Sequence, residues 1–209
     1  MSKGKDRTAA VLIIIGAIMI AASAGLVLWN YYESSKAQKA ASEQLVKVEK
    51  EISRREQVNT DSSIQAAFIP QGSEIKKMPV AEIDGNDYIG YLSIPSVDLK
   101  TPVMNTYNDY KLNIAPCRYY GSLETDNLVI AGHNFYGSFN KLTSLKESDK
   151  VIFTNMDGDV FTYHVGEIEM LDPDQVVDMV ESSWDLTLYT CNYTASQRFT
   201  VRCKLIEIN

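Results

Sequence analysis

The sequence predicts an all-β domain, a barrel or a sandwich, behind an N-terminal membrane-spanning helix and a helical stalk. Three observations carry that reading. A long charge-free apolar run occupies residues 9–29. A polar stretch without Gly or Pro follows it, at 33–58. From about residue 88 onward, short apolar or alternating segments of strand length are separated by turn residues. The expected boundaries are a cytoplasmic tail at 1–8, the transmembrane anchor at 9–29, a helical stalk and linker at 30–79, and the β-domain at 80–209.

The apolar run is 21 residues long. As a helix it extends roughly 32 Å, about the thickness of the hydrocarbon core of a bilayer. Lys3, Lys5 and Arg7 precede it, and Glu33 is the first charge after it. Positive residues favour the cytoplasmic side, so the β-domain is expected outside the membrane. Trp29, Tyr31 and Tyr32 fit an aromatic belt at the outer interface. Ala22-Ser23-Ala24 also resembles a signal-peptide cleavage site, but Leu26-Val27-Leu28-Trp29 continues the run beyond it and favours a retained anchor.

The stalk segment is rich in good helix formers. Ala37, Ala41, Leu45, Val48 and Ile52 form one apolar stripe at three- and four-residue spacing, as expected of a stalk or a short coiled coil. Residues 59–79 read as a linker. Within it, Ile64 and Ala66-Ala67-Phe68-Ile69 are candidates to dock on the domain.

In the β-domain, Ile89 to Pro95 reads as one strand, with Val97-Asp98-Leu99 and Thr101 to Met104 continuing it. Leu128-Val129-Ile130-Ala131 is apolar throughout, as in a buried strand. Residues 150–154 and 160–170 flank an Asp157-Gly158 turn and read as a hairpin. Residues 186–191 and 198–208 form a final pair. Short helices are expected at 140–147 and 174–181.

Net charge is −7, which argues against nucleic acid as a partner. Cys117, Cys191 and Cys203 are widely spaced and include no C-x-x-C pair, so neither a disulfide framework nor a zinc site fits. A Cys117–Cys203 bridge stays open. On the last strand, Phe199, Val201, Cys203 and Leu205 alternate with Arg198, Thr200, Arg202 and Lys204, which places Cys203 on the apolar face. Cys191 ends the preceding strand, and antiparallel pairing through 192–197 brings it close to Arg198. That is geometry that a nucleophile and an oxyanion stabiliser would need. The chain has two histidines. His133 follows the buried strand in a loop, where catalytic groups commonly lie, whereas His164 alternates within a strand and faces solvent. His133 is therefore the candidate acid or base.

Thr187-Leu188-Tyr189-Thr190-Cys191 resembles the TLxTC signature of the sortases. Arg198 stands at the place of their essential arginine, and Val129-Ile130-Ala131-Gly132-His133 is similar to their strand-to-histidine segment. Ile89 to Pro95, through Pro102-Val103, is similar to their opening strands. The resemblance covers about residues 85–208. It implies a closed eight-stranded β-barrel whose groove binds an LPxTG-like sorting motif of a secreted protein. Cys191 would attack the carbonyl after the motif's threonine and form a thioacyl enzyme. His133 would protonate the leaving amine and then deprotonate the acceptor, a cell-wall precursor amine or a pilin lysine, while Arg198 stabilises the oxyanion. Tyr189 and Thr190 would contact substrate. No cofactor and no metal ligand are expected.

With ordinary thiol and imidazole pKa values of about 8.5 and 6.5, both charged forms coexist in under about 1% of molecules at pH 7. The resemblance implies that sortases work from that minor population and turn over slowly. The subclass is class D or class B-like; the short 170–184 and 192–197 segments leave little room for a class B helical insertion. No pilin-type DPW or DPF lid precedes the barrel. Two rival readings remain: a tethered cysteine peptidase that hydrolyses the intermediate, and a non-catalytic β-domain that binds a wall component.

Overall fold

A computed structural model describes residues 3–65, 78–135, 137–192 and 194–208. Residues 66–77, including the candidate docking segment Ala66-Ala67-Phe68-Ile69, lie outside the described residues, as does Tyr136. The chain opens with one continuous helix, α1 (Lys3–Gln65), followed by β1 (Ala81–Ile83), β2 (Asn86–Ile94) and β3 (Leu99–Met104). A short helix α2 (Asp109–Leu112) leads to β4 (Cys117–Tyr120) and β5 (Leu128–Gly132). After a 3₁₀ segment at Phe139–Ser144 come β6 (Lys150–Asn155), β7 (Val160–Leu171), α3 (Val176–Val180), β8 (Leu186–Cys191) and β9 (Arg198–Ile208).

Strand order is β1-β2-β3-β4-β5-β8-β9-β7-β6, and β6 also pairs with β2. That last pairing closes eight strands, β2 to β9, into a barrel, and β1 hangs outside as the hairpin partner of β2. Two ladders are parallel, β3–β4 and β5–β8. Closure removes the open sheet edges that would otherwise invite aggregation. Leu92, Ile94, Val103, Ile130, Phe153, Leu188 and Val201 fill the interior at 0% exposure. β5 is buried on both faces because β4 and β8 flank it and a second apolar cluster covers its outer side.

Two expectations are corrected. Val97-Asp98-Leu99 does not continue the first strand: Pro95 opens a 3₁₀ turn at Pro95–Val97, and Asp98 adopts a left-handed conformation (φ 48°) before β3 begins. The proline removes a ladder donor at that point, and the chain reverses there into an antiparallel pair. The apolar stripe of the stalk is not a coiled-coil seam. Val48 and Ile52 pack with Tyr88, Met104, Ala115, Cys117 and Met156, so the second half of α1 lies against the barrel. Burial of two such side chains contributes about 1.5–3 kcal/mol each. The ion pairs beside them, Lys47–Asp84 and Lys100–Glu49, are half exposed and contribute little by comparison. The apolar seam therefore holds the helix, and the ion pairs set its register. The first part of α1 is exposed and is long and apolar enough to cross a membrane.

Candidate active site

Cys191 is the last residue of β8 and Arg198 the first of β9, and the two are direct register partners in the antiparallel ladder. The Arg198 guanidinium donates to the Cys191 thiol sulfur at 3.3 Å. On the other side of β8, the parallel ladder ends with Gly132 opposite Thr190. His133 and Cys191 therefore leave the carboxyl ends of adjacent strands one step further on. Asn134 ties the two exits together by donating to the Asn192 carbonyl at 3.2 Å. The fold thus gathers the thiol, the guanidinium and His133 at one rim of the barrel. His164 lies in mid-β7, paired with Lys150 and Lys204, far along the sheet from that rim.

Strand alternation sorts the neighbours. Leu186 and Leu188 point into the barrel, while Tyr189 packs on the outer cluster with Val129, Ala131, Leu171 and Met179. Cys191 shares the parity of Tyr189. Thr190 falls on the interior parity at 1% exposure. A ladder of edge-to-face rings runs from Tyr189 to Tyr119 (5.4 Å) and on to Tyr107 (5.3 Å). Tyr119 and Tyr189 line a surface groove that α3 walls through Val176 and Met179 and that Arg198 closes at one end.

What secures α3 is Arg202. Its guanidinium donates to the carbonyls of Asp178 (2.7 Å) and Met179 (3.1 Å), to Thr187 Oγ1 (3.0 Å) and to Glu169 Oε1 (2.7 Å). At 2% exposure it is one of the most buried charges in the chain. Sequence alternation placed it on the same face as Arg198, but nothing local signals that a five-residue helix covers that face. Replacing Arg202 with Met should destabilise the fold by about 3 kcal/mol, because it strands the α3 carbonyls and Glu169. Arg202→Lys should rescue little, since one ammonium cannot reproduce the planar fork. Thermal unfolding in detergent measures both; a loss under about 1 kcal/mol for Arg202→Met counts against this role.

The histidine is partly buried. Its ring stacks on Phe135 at 4.5 Å, and a Cβ added at Gly132 would collide with the Phe139 ring at 2.4 Å. Only glycine leaves room there for the chain to fold back and carry the loop over the rim. Burial holds His133 below the ordinary imidazole range, partly offset by the Asp109 carboxylate at the start of α2. The sign follows directly. The unfolded chain binds this proton more readily, so stability falls as pH drops from the ordinary imidazole pKa toward the lower folded value. Melting temperatures at pH 7.5 and 5.5 should fall further apart for the native chain than for His133→Gln; equal shifts would refute the assignment.

The three cysteines are unpaired thiols. A Cys117–Cys203 bridge is excluded, since Cys117 packs in the α1 seam and Cys203 in the barrel interior. Burial raises both thiols, that of Cys117 to about 12. Cys191, half-buried at the rim, is the accessible one.

The sequence matches the family model for the Sortase domain over residues 92–206, more than half of its 209 residues. The chain belongs to the sortase family. Sortase A of Bacillus anthracis is 26% identical over 189 residues, covering 88% of this sortase and 84% of that protein. Among solved structures, sortase C-1 of Streptococcus pneumoniae superposes with a TM-score of 0.58 at 23% identity, covering 79% of this chain and 98% of that one. The Clostridium perfringens sortase D5 transpeptidase gives 0.57 at 18%, covering 81% and 99%. These structures share the fold, and they come from more than one sortase class. In this sortase the β7–β8 connection, residues 172–185, contains the five-residue helix α3.

Proposed function

We propose that this sortase is a membrane-anchored cysteine transpeptidase that cuts an LPxTG-like sorting motif and transfers the secreted protein to a wall or pilin amine. The observation that carries the reading is the Arg198–Cys191 hydrogen bond at a rim shared with His133. The sorting peptide lies in the groove over Tyr119 and Tyr189. Cys191 sulfur bonds to the carbonyl carbon after the motif's threonine, and the developing oxyanion accepts from Arg198. The proton lost by the thiol passes to His133 and on to the leaving amine as the C–N bond breaks. An acceptor amine then attacks the thioester, gives its proton to His133, and releases Cys191. The positive residues ahead of the apolar run support an orientation with the barrel outside the membrane. There, newly translocated substrates and lipid-linked acceptors both arrive.

The test is mass spectrometry of the full-length protein with a Leu-Pro-Xaa-Thr-Gly peptide pool, with and without an added amine. A thioacyl adduct on Cys191 and an amide product are expected. An adduct that yields only free acid, at every amine concentration, makes the protein a hydrolase; no adduct at all leaves the wall-binding domain as the surviving reading.

A further inference from the structure

The parallel β5–β8 ladder ends where Gly132 faces Thr190, and the chain then parts into two loops, one carrying His133 and the other following Cys191. Between residues 133–138 and 192–197, one hydrogen bond joins these loops among the described residues: Asn134 Nδ2 donates to the Asn192 carbonyl at 3.2 Å. We infer that Asn134 is a positioning residue. Its amide fixes the spacing between the His133 imidazole and the Cys191 thiol, continuing the ladder with a side chain where the backbone leaves off. This rests on the transpeptidase reading and adds a group that acts on the chemistry through its neighbours.

Three observations carry it. The acceptor end is a built turn. The Asn192 carbonyl also accepts from the Ala195 N–H at 3.0 Å, so both of its lone pairs are engaged. Asn192 Oδ1 accepts from the N–H groups of Ser196 (2.9 Å) and Gln197 (3.3 Å) and from the Thr194 hydroxyl (3.1 Å), which closes the loop on itself. Asn134 therefore reaches a fixed acceptor one residue from the thiol. The imidazole, by contrast, has no such tie of its own. Among the described residues no hydrogen bond reaches the His133 ring, and its stacking partner at 4.5 Å, Phe135, belongs to the same loop. The loop sets where the ring stands, and beyond the last ladder pair Asn134 ties that loop to the thiol's side. The third observation is charge. An amide is neutral, so it holds the loop alike whether His133 carries a proton or not, which suits a group that takes a proton and returns it. A carboxylate in its place would favour the imidazolium.

The experiment compares full-length native protein in detergent with Asn134→Ala and with Asn134→Leu, which keeps the size of the side chain and removes the donor. The substrate is the peptide of the same pool that the native chain acylates fastest. Mass spectrometry follows the Cys191 adduct through a single turnover; its rate constant reads positioning, and its amplitude reads the folded fraction. Both variants should lower the rate constant about 10- to 100-fold, the range for a catalytic group displaced by up to about 1 Å. The peptide concentration at half-saturation should stay within about twofold of native. Transfer from the preformed adduct to an added amine should slow by a similar factor, because His133 serves both steps. Acylation rate constants within about threefold of native overturn the inference. So does a loss confined to amplitude, which a poorly folded loop produces, or a shift in half-saturation alone, which a substrate contact produces. A Leu variant that regains the native rate also overturns it, since volume and not the donor would then be the cause. In each of these cases the native adduct leaves the transpeptidase reading standing. If the native chain forms no thioacyl adduct, that reading itself falls, and this inference falls with it.

Discussion

Replacing Cys191 with alanine should abolish thioacyl formation and lower peptide cleavage by at least about 10⁴-fold, with little change in thermal stability. The size follows from the role: on the proposed reading the Cys191 thiol is the group that bonds covalently to the acyl carbon. Cys117 and Cys203 cannot substitute, because both are buried and their thiols are raised by that burial. The same contrast predicts a labelling pattern. In the folded protein a methanethiosulfonate reagent should modify Cys191 and spare the other two, and Cys191→Ala should leave no fast-reacting thiol. Cleavage persisting within tenfold of native would remove Cys191 from the mechanism. An unreactive Cys191 would point instead to a binding module.

Arg198→Ala should cost about 10²–10³-fold in the acylation step, the usual cost of losing one oxyanion donor. The guanidinium donates to the sulfur at 3.3 Å, so on the proposed reading it stands beside the carbonyl that the thiol would attack. Arg198→Lys should recover part of the loss only, since an ammonium keeps the charge but not the fork. Single-turnover acylation with saturating peptide separates this from weaker binding. If Arg198→Ala changed KM alone and left the acylation rate within about threefold, the arginine would be a substrate clamp and no more.

Residue patterns foretold the rim better than its surroundings. Strict alternation along 198–205 separated Cys203 from Arg198, and the β8–β9 register pairs Cys191 with Arg198. The apolar run at 128–131 marked a strand that ladder partners bury on both sides. Elements of three or four residues, such as β1, β4 and α2, are too short to carry a usable periodicity. The stripe on α1 was visible, yet a stripe says only that something covers it. Whether that is a second helix or the chain's own barrel depends on contacts with residues as far along the chain as Tyr88 and Met156. The cover over Arg202 escapes the sequence for the same reason. An alternating polar face usually meets water, and here α3 lies over it.

The continuity of α1 fixes more than distance. Each residue advances an α-helix by about 100° of rotation. The apolar stretch and the seam at Val48 and Ile52 therefore share one angular phase, like two keys cut on a single shaft. With the stretch held in a bilayer, that phase decides on which side of the helix axis the His133 rim sits. One residue inserted just after Tyr32 would swing the barrel about a quarter turn while raising it only about 1.5 Å, and four would nearly restore the facing while lifting it about 6 Å. Azimuth and height can thus be dialled separately by counting residues.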